Sequence, residues 1–125
     1  MNIWQSIDKM MIDGPFKVRI QYRYSDTMLE DLYPDDTEEQ INSLYRSIDR
    51  HESSLFDTRL SYIYNNHILS TSYRNSYHYE GFPEDAILEG LEGEVEMMMV
   101  EAKEEAIEKA KELLDNLQND FGEAL

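Results

Sequence analysis

The sequence predicts an α+β fold: a small antiparallel sheet of three to four strands packed with helices, and a long acidic C-terminal helix. Three features carry this prediction. Phe16 to Tyr24 alternates apolar with charged or polar side chains, Leu60 to Tyr64 alternates before an Asn-Asn turn with a β-like composition resuming after it, and the chain beyond Pro83 is rich in strong helix formers. A chain of 125 residues sits near the commonest single-domain size. One domain over 1–125 is therefore expected, with a body over 1–83 and a helix over 84–125.

Near the start, Ile3, Trp4, Ile7, Met10 and Met11 recur at helical spacing and Gly14-Pro15 closes the segment, so a short amphipathic helix is expected there. In the strand that follows, Phe16, Val18, Ile20, Tyr22 and Tyr24 face one way, and Lys17, Arg19, Gln21 and Arg23 the other. The next stretch contains Pro34 and no clean period, which reads as a loop with one helical turn around Met28 to Leu32. Thr37 and Gln40 then have capping-box spacing. They open a helix expected to run to about Ser53, with Ile41, Leu44, Tyr45, Ile48 and Leu55 as its buried stripe.

Leu60, Tyr62 and Tyr64 alternate, Asn65-Asn66 tolerates positive φ, and Ile68 to Tyr73 resumes a β-like composition, which together read as a hairpin. Arg74-Asn75-Ser76 reads as a second turn, leading into a short strand at Tyr77 to Tyr79. Pro83 suits a first helical position. Beyond it, Leu88, Leu91, Val95, Met99, Ala102, Ala106, Ala110, Leu113, Leu117 and Phe121 advance in repeated steps of 3, 4 and 4. Gly90 and Gly93 each cost about 1 kcal/mol relative to Ala, so the uninterrupted helix begins near Glu94. A helix from there to Phe121 is about 42 Å long, against a radius of gyration of about 14 Å for a domain of this size. Its end is expected to overhang the sheet, where an apolar stripe would need a partner.

Charge separates the function classes. The net charge is −16. Residues 84–125 hold fourteen acids against Lys103, Lys109 and Lys111, which leaves −11 in that third of the chain. Asp26 to Glu39 is a second acidic stretch with no Lys or Arg. Such fields repel nucleic acid and anionic membrane and attract basic surfaces. The expected partner is thus a protein with a basic surface, with no direct nucleic-acid contact and no membrane contact.

Glu101 and Glu105, Glu104 and Glu108, and Glu108 and Glu112 are like-charge pairs at i,i+4, which burden an isolated helix. A use beyond monomer stability is a rigid row of carboxylates that enters a groove built for phosphates. The candidate partner-binding residues are Glu94, Glu96, Glu101, Glu104, Glu105, Glu108 and Glu112, with Asp31, Asp35 and Asp36 as a secondary patch. In size, charge and lack of cysteine the chain resembles small viral inhibitors of restriction and CRISPR nucleases that act by nucleic-acid mimicry. That resemblance is one of composition and covers no diagnostic motif.

Other chemistry has no positive signal. Cysteine is absent, which excludes disulfides, zinc-thiolate sites and thiol nucleophiles. His51, His67 and His78 share no helix-face spacing for metal, Asp31 to Glu39 lacks the EF-hand pattern, and no Glu-x-x-His pair occurs. No Gly-rich phosphate loop or nucleophile elbow is present. Neither enzyme activity, cofactor nor metal is expected. Met1 to Gly14 is too polar for a signal segment and no long apolar run occurs, so a cytoplasmic protein is expected, in the host cytoplasm if viral.

Two readings follow. The first is an acidic inhibitor, of the anti-CRISPR or anti-restriction type, that blocks the basic cleft of a host defence nuclease. The alternative is a homo-oligomeric assembly or adaptor protein, a homodimer for example, that pairs through Leu113, Leu117 and Phe121.

Overall fold

The computed structural model describes residues 3–122. Among these, five strands and four helices follow in the order β1 (Gln5–Ser6), β2 (Met11–Asp13), β3 (Phe16–Tyr24), α1 (Leu29–Leu32), α2 (Glu38–Asp49), β4 (Ser53–Tyr64), β5 (His67–Glu80), α3 (Pro83–Leu88) and α4 (Glu94–Phe121). The strands make one antiparallel sheet in the order β1-β3-β4-β5, with β2 also pairing β3. β1 and β2 lie end to end along one edge of β3, opposite Tyr22 and Gln21 and opposite Val18 to Phe16. This is an α+β fold.

The N-terminal segment is not the amphipathic helix that its spacing suggests. Its backbone instead satisfies the free edge of β3, whose N–H and C=O groups would otherwise lack partners. Even the link between β1 and β2 donates from Ile7 N to Ile20 O at 3.2 Å. The apolar residues at 3, 4, 7, 10 and 11 therefore divide: Ile7 is buried, whereas Ile3 and Met10 are exposed.

β3 is paired along nearly its whole length with β4, from Lys17 opposite Ile63 to Tyr24 opposite Phe56. Asn65 and Asn66 turn β4 into β5 with φ of 49° and 67°, the left-handed region that Asn tolerates. The turn expected at Arg74 to Ser76 does not form. β5 runs through it, and the irregularity is a bulge opposite Asp57, with Ser76 at φ 64° and its N–H donating to Asp57 Oδ1 at 2.9 Å.

Thr37 caps α2 as its sequence predicts: Gln40 N donates to Thr37 Oγ1 at 3.2 Å, and Thr37 N to Gln40 Oε1 at 2.8 Å. The helix ends at Asp49, earlier than expected, and Leu55 belongs to β4. Leu55 nonetheless packs with Leu29 and Ile41, so it meets the α2 stripe from the sheet side. Its neighbour Phe56 belongs to the main core with Ala86, Ile87 and Met98. Successive strand residues point to opposite faces. Hence α1 and α2 cover one end of one face, and α3 and α4 cover the other face.

Under α1 lies His78, whose Nδ1 bonds Tyr33 Oη and whose Nε2 bonds Ser53 Oγ, both at 3.0 Å. Burial holds this imidazole below its usual value of 6.5. A folded pKa below the unfolded one means that the unfolded chain binds the extra proton more readily. Stability should accordingly be full above pH 6.5 and decline as pH falls below it. Urea denaturation between pH 7.5 and 5.5 checks this, with His78→Asn flattening that part of the slope.

α3 and α4 are joined by a left-handed turn. Gly90, Leu91, Glu92 and Gly93 have φ of 92°, 50°, 55° and 90°. Two of these are non-glycine residues in a disfavoured region, and the burial of Leu91 at 1% exposure offsets the strain. The two glycines that stop the helical pattern thus set the angle at which α4 leaves for the sheet.

Candidate protein-binding surface of the C-terminal helix

α4 has one face on the sheet for only about half its length. Met98, Ala102 and Ala106 are buried, with Val95 and Met99 packed alongside. Met98, not Met99, is the fully buried member of the methionine run. The close approach depends on small side chains on both sides: Ser70 Oγ donates to the Ala102 carbonyl at 2.5 Å, and Ser72 Oγ to Glu101 Oε2 at 2.9 Å. From Ile107 to Gly122 every residue is exposed. The helix overhangs the sheet, and Leu113, Leu117 and Phe121 are exposed by 51%, 50% and 54%.

The carboxylates do not form one uniform set. At 100° per residue, Glu94, Glu101, Glu105, Glu108 and Glu112 fall within about 60° of one another on the flank of α4 beside β5. Glu104 borders that row, whereas Glu96 lies roughly on the far side of the helix. Glu94 and Glu101 are already engaged: Arg74 bonds Glu94 Oε2 through Nε at 3.0 Å and Glu101 Oε1 through Nη2 at 2.8 Å. The Arg74 bonds hold the Glu101 carboxyl below its ordinary range, and the two carboxylates raise Arg74 further. These two acids fasten α4 to β5. Glu105 pairs with Lys109 at 3.2 Å, with both side chains half exposed. Glu104, Glu108 and Glu112 have no ion pair among the described residues.

Asp31, Asp35 and Asp36 are exposed, on α1 and in the turn before α2. They belong to the layer on the other face of the sheet, so they do not extend the α4 row. Asp13 meets α4 partway along its length, where it accepts from Tyr62 Oη at 2.6 Å and from Lys103 Nζ at 3.0 Å. Those two bonds lower its pKa, and burial together with Asp13 raises that of Tyr62.

Four cations are placed away from the acidic row. Lys17, Arg19 and Arg23 alternate on β3 with the core residues Val18 and Ile20, which puts them on the sheet face that α4 does not touch. Arg59, opposite Gln21, joins them. The guanidinium carbons of Arg23 and Arg59 lie 4.5 and 4.4 Å from the centre of the Trp4 ring, and Tyr73 meets that ring edge-on at 6.4 Å. These aromatic rings and guanidinium groups cover an open sheet face. These four cations face away from the acidic row, whereas Arg74, Lys103, Lys109 and Lys111 lie on or against α4.

Three residues have no counterpart in the sequence-based expectations: Val100, Ile107 and Leu114, which with Phe121 follow one another at intervals of seven; the four are 56%, 37%, 55% and 54% exposed. They form an apolar seam on the flank of α4 roughly 140° from the acidic row. Its signal in the sequence is a heptad, masked by the longer stripe that continues from the buried face.

No protein family, curated protein or solved structure matches the chain. Among the described residues no cluster of His, Asp or Glu could hold a metal ion, and no helix is long and apolar enough to cross a membrane.

Proposed function

We propose that this protein is an acidic inhibitor that docks the flank of α4 into the basic nucleic-acid cleft of another protein, of which a host defence nuclease is the type. The observation that supports it most is the rigid presentation of carboxylates. Glu104, Glu105, Glu108 and Glu112 stand, exposed, on a 28-residue helix whose second half, from Ile107, leaves the body. Carboxylates on one side of a helix recur on the 5 to 6 Å scale, comparable with phosphates along a strand. Glu94 and Glu101 serve by anchoring the helix to Arg74, and the active row is the part beyond them.

Immobilised chain should retain such a partner from a host lysate at low salt and release it when duplex DNA or salt is added. The triple variant Glu104→Lys, Glu105→Lys, Glu108→Lys should weaken the isolated complex by about 100-fold or more. A partner held equally well by the triple variant, or indifferent to DNA, refutes the proposal.

A second reading, homo-oligomeric assembly through Leu113, Leu117 and Phe121, is supported by their exposure on the overhang. It uses a different flank of α4, so the two readings are compatible in one molecule.

A further inference from the structure

The exposed seam of α4 specifies its own cover. Apolar residues repeated every seven positions keep facing a neighbour only if that neighbour is another helix wound around the first. In heptad terms Val100, Ile107, Leu114 and Phe121 occupy one core position, and Lys103, Ala110 and Leu117 the other. Beside the seam lies an apolar groove of about 390 Å³ between α4 and the β2–β3 turn, walled by Pro15, Phe16, Ile107, Ala110 and Leu114. Ala110 forms part of its floor. This groove beside a small residue shares its surface with the exposed Phe121, eleven positions further on.

We propose that the occupant is a second copy of this chain, its α4 antiparallel to the first and crossing between Asp115 and Asn116, so that Phe121 of each copy enters the groove at Ala110 of the other. This rests on the self-association reading and adds its geometry. The same two-fold axis sets Leu114 against Leu117 in both directions, which gives a self-complementary contact in which large side chains meet small ones at the ends. Lys111 then faces Gln118 of the second copy, and Leu113 faces Asp120, so no like charges are brought together.

Charge selects the antiparallel sense. Residues 107–122 carry four acids (Glu108, Glu112, Asp115, Asp120) and two lysines, a net −2 out of the total of −16. Antiparallel pairing overlaps these weakly charged ends and holds the two bodies at opposite ends of the assembly. A parallel pair would also overlap residues 94–106, which carry Glu94, Glu96, Glu101, Glu104 and Glu105 against Lys103, and would bring both acidic bodies to the same end. The acidic row lies on another flank and stays exposed in the dimer.

Sedimentation equilibrium of the full chain should show a dimer that dissociates on dilution, with loading up to about 300 µM to cover a contact at the small end of stable interfaces. Leu117→Asp should give monomer, and Phe121→Ala should raise the dissociation constant at least about tenfold. Both positions are exposed, and an unchanged far-UV circular dichroism spectrum verifies that the body is intact. Geometry is read from disulfides in this cysteine-free chain. Lys111→Cys mixed with Gln118→Cys should cross-link, whereas each variant alone should not, because along the axis the two copies of position 111 lie about 13 Å apart and those of position 118 about 7 Å, in addition to the distance between the helices. A monomer at every concentration overturns self-association altogether. A dimer in which each cysteine variant links to itself, or one that survives Leu117→Asp, overturns this geometry and leaves self-association by another surface.

Discussion

Phe56→Ala is expected to lower the free energy of unfolding by about 3–5 kcal/mol, at the top of the range for a single truncation. Phe56 is fully buried on β4, between Tyr24 on β3 and Tyr77 on β5. Its ring meets Tyr77 and Tyr79 at 5.9 and 6.0 Å. Truncation therefore removes the transfer free energy of a whole aromatic ring and leaves a cavity that three strands would have to close together. Because β4 is paired on both sides, the backbone has little freedom to collapse into the gap. Against a typical total of about 5–15 kcal/mol, such a loss brings the chain close to unfolding at 25 °C. Urea titration followed by circular dichroism measures it, and a loss under about 1 kcal/mol would place Phe56 outside the core.

The second large effect is overpacking. Ala106→Leu should destabilise by about 1–3 kcal/mol, since Ala106 is fully buried under α4 and has no room for three more carbons. Ala110→Leu, one turn later on an exposed position, should stay within about 0.5 kcal/mol when measured on dilute monomer. The contrast locates where the helix leaves the sheet. Equal costs at the two positions would mean that the overhang begins elsewhere.

Much of this fold was legible in the residues because the signals were strong and local. Strict alternation over Phe16 to Tyr24, the capping box at Thr37 and Gln40, the Asn65-Asn66 turn and the glycines at 90 and 93 each act over a few residues, and each formed as its chemistry required. Where expectation and structure differ, a long-range demand outweighed the local one. Ile3 to Met11 has a helical spacing, yet the unpaired edge of β3 required a strand there. Arg74 to Ser76 has turn composition, yet pairing with β4 continued through it as a bulge, with Asp57 capturing the displaced Ser76 N–H.

The candidate site divides in the same way. Sequence periodicity placed the acids on a helix and foresaw the overhang. It did not show that Arg74, on a strand twenty residues before Glu94, would engage two of the chosen carboxylates. Nor did it distinguish the buried stripe through Met98 and Ala106 from the exposed seam through Val100 and Leu114, because both repeat at nearly the same period.

The sequence by itself determined that this chain carries its negative charge on a long stiff helix and builds its body from an antiparallel sheet, since charge and periodicity are properties of order along the chain. Only the tertiary structure decided which side of that helix meets the sheet, which acids are engaged in holding it there, and that Lys17, Arg19, Arg23 and Arg59 share the opposite face of the sheet. Those outcomes depend on which strand edges and which small side chains come together in space, and sequence spacing alone does not encode such contacts.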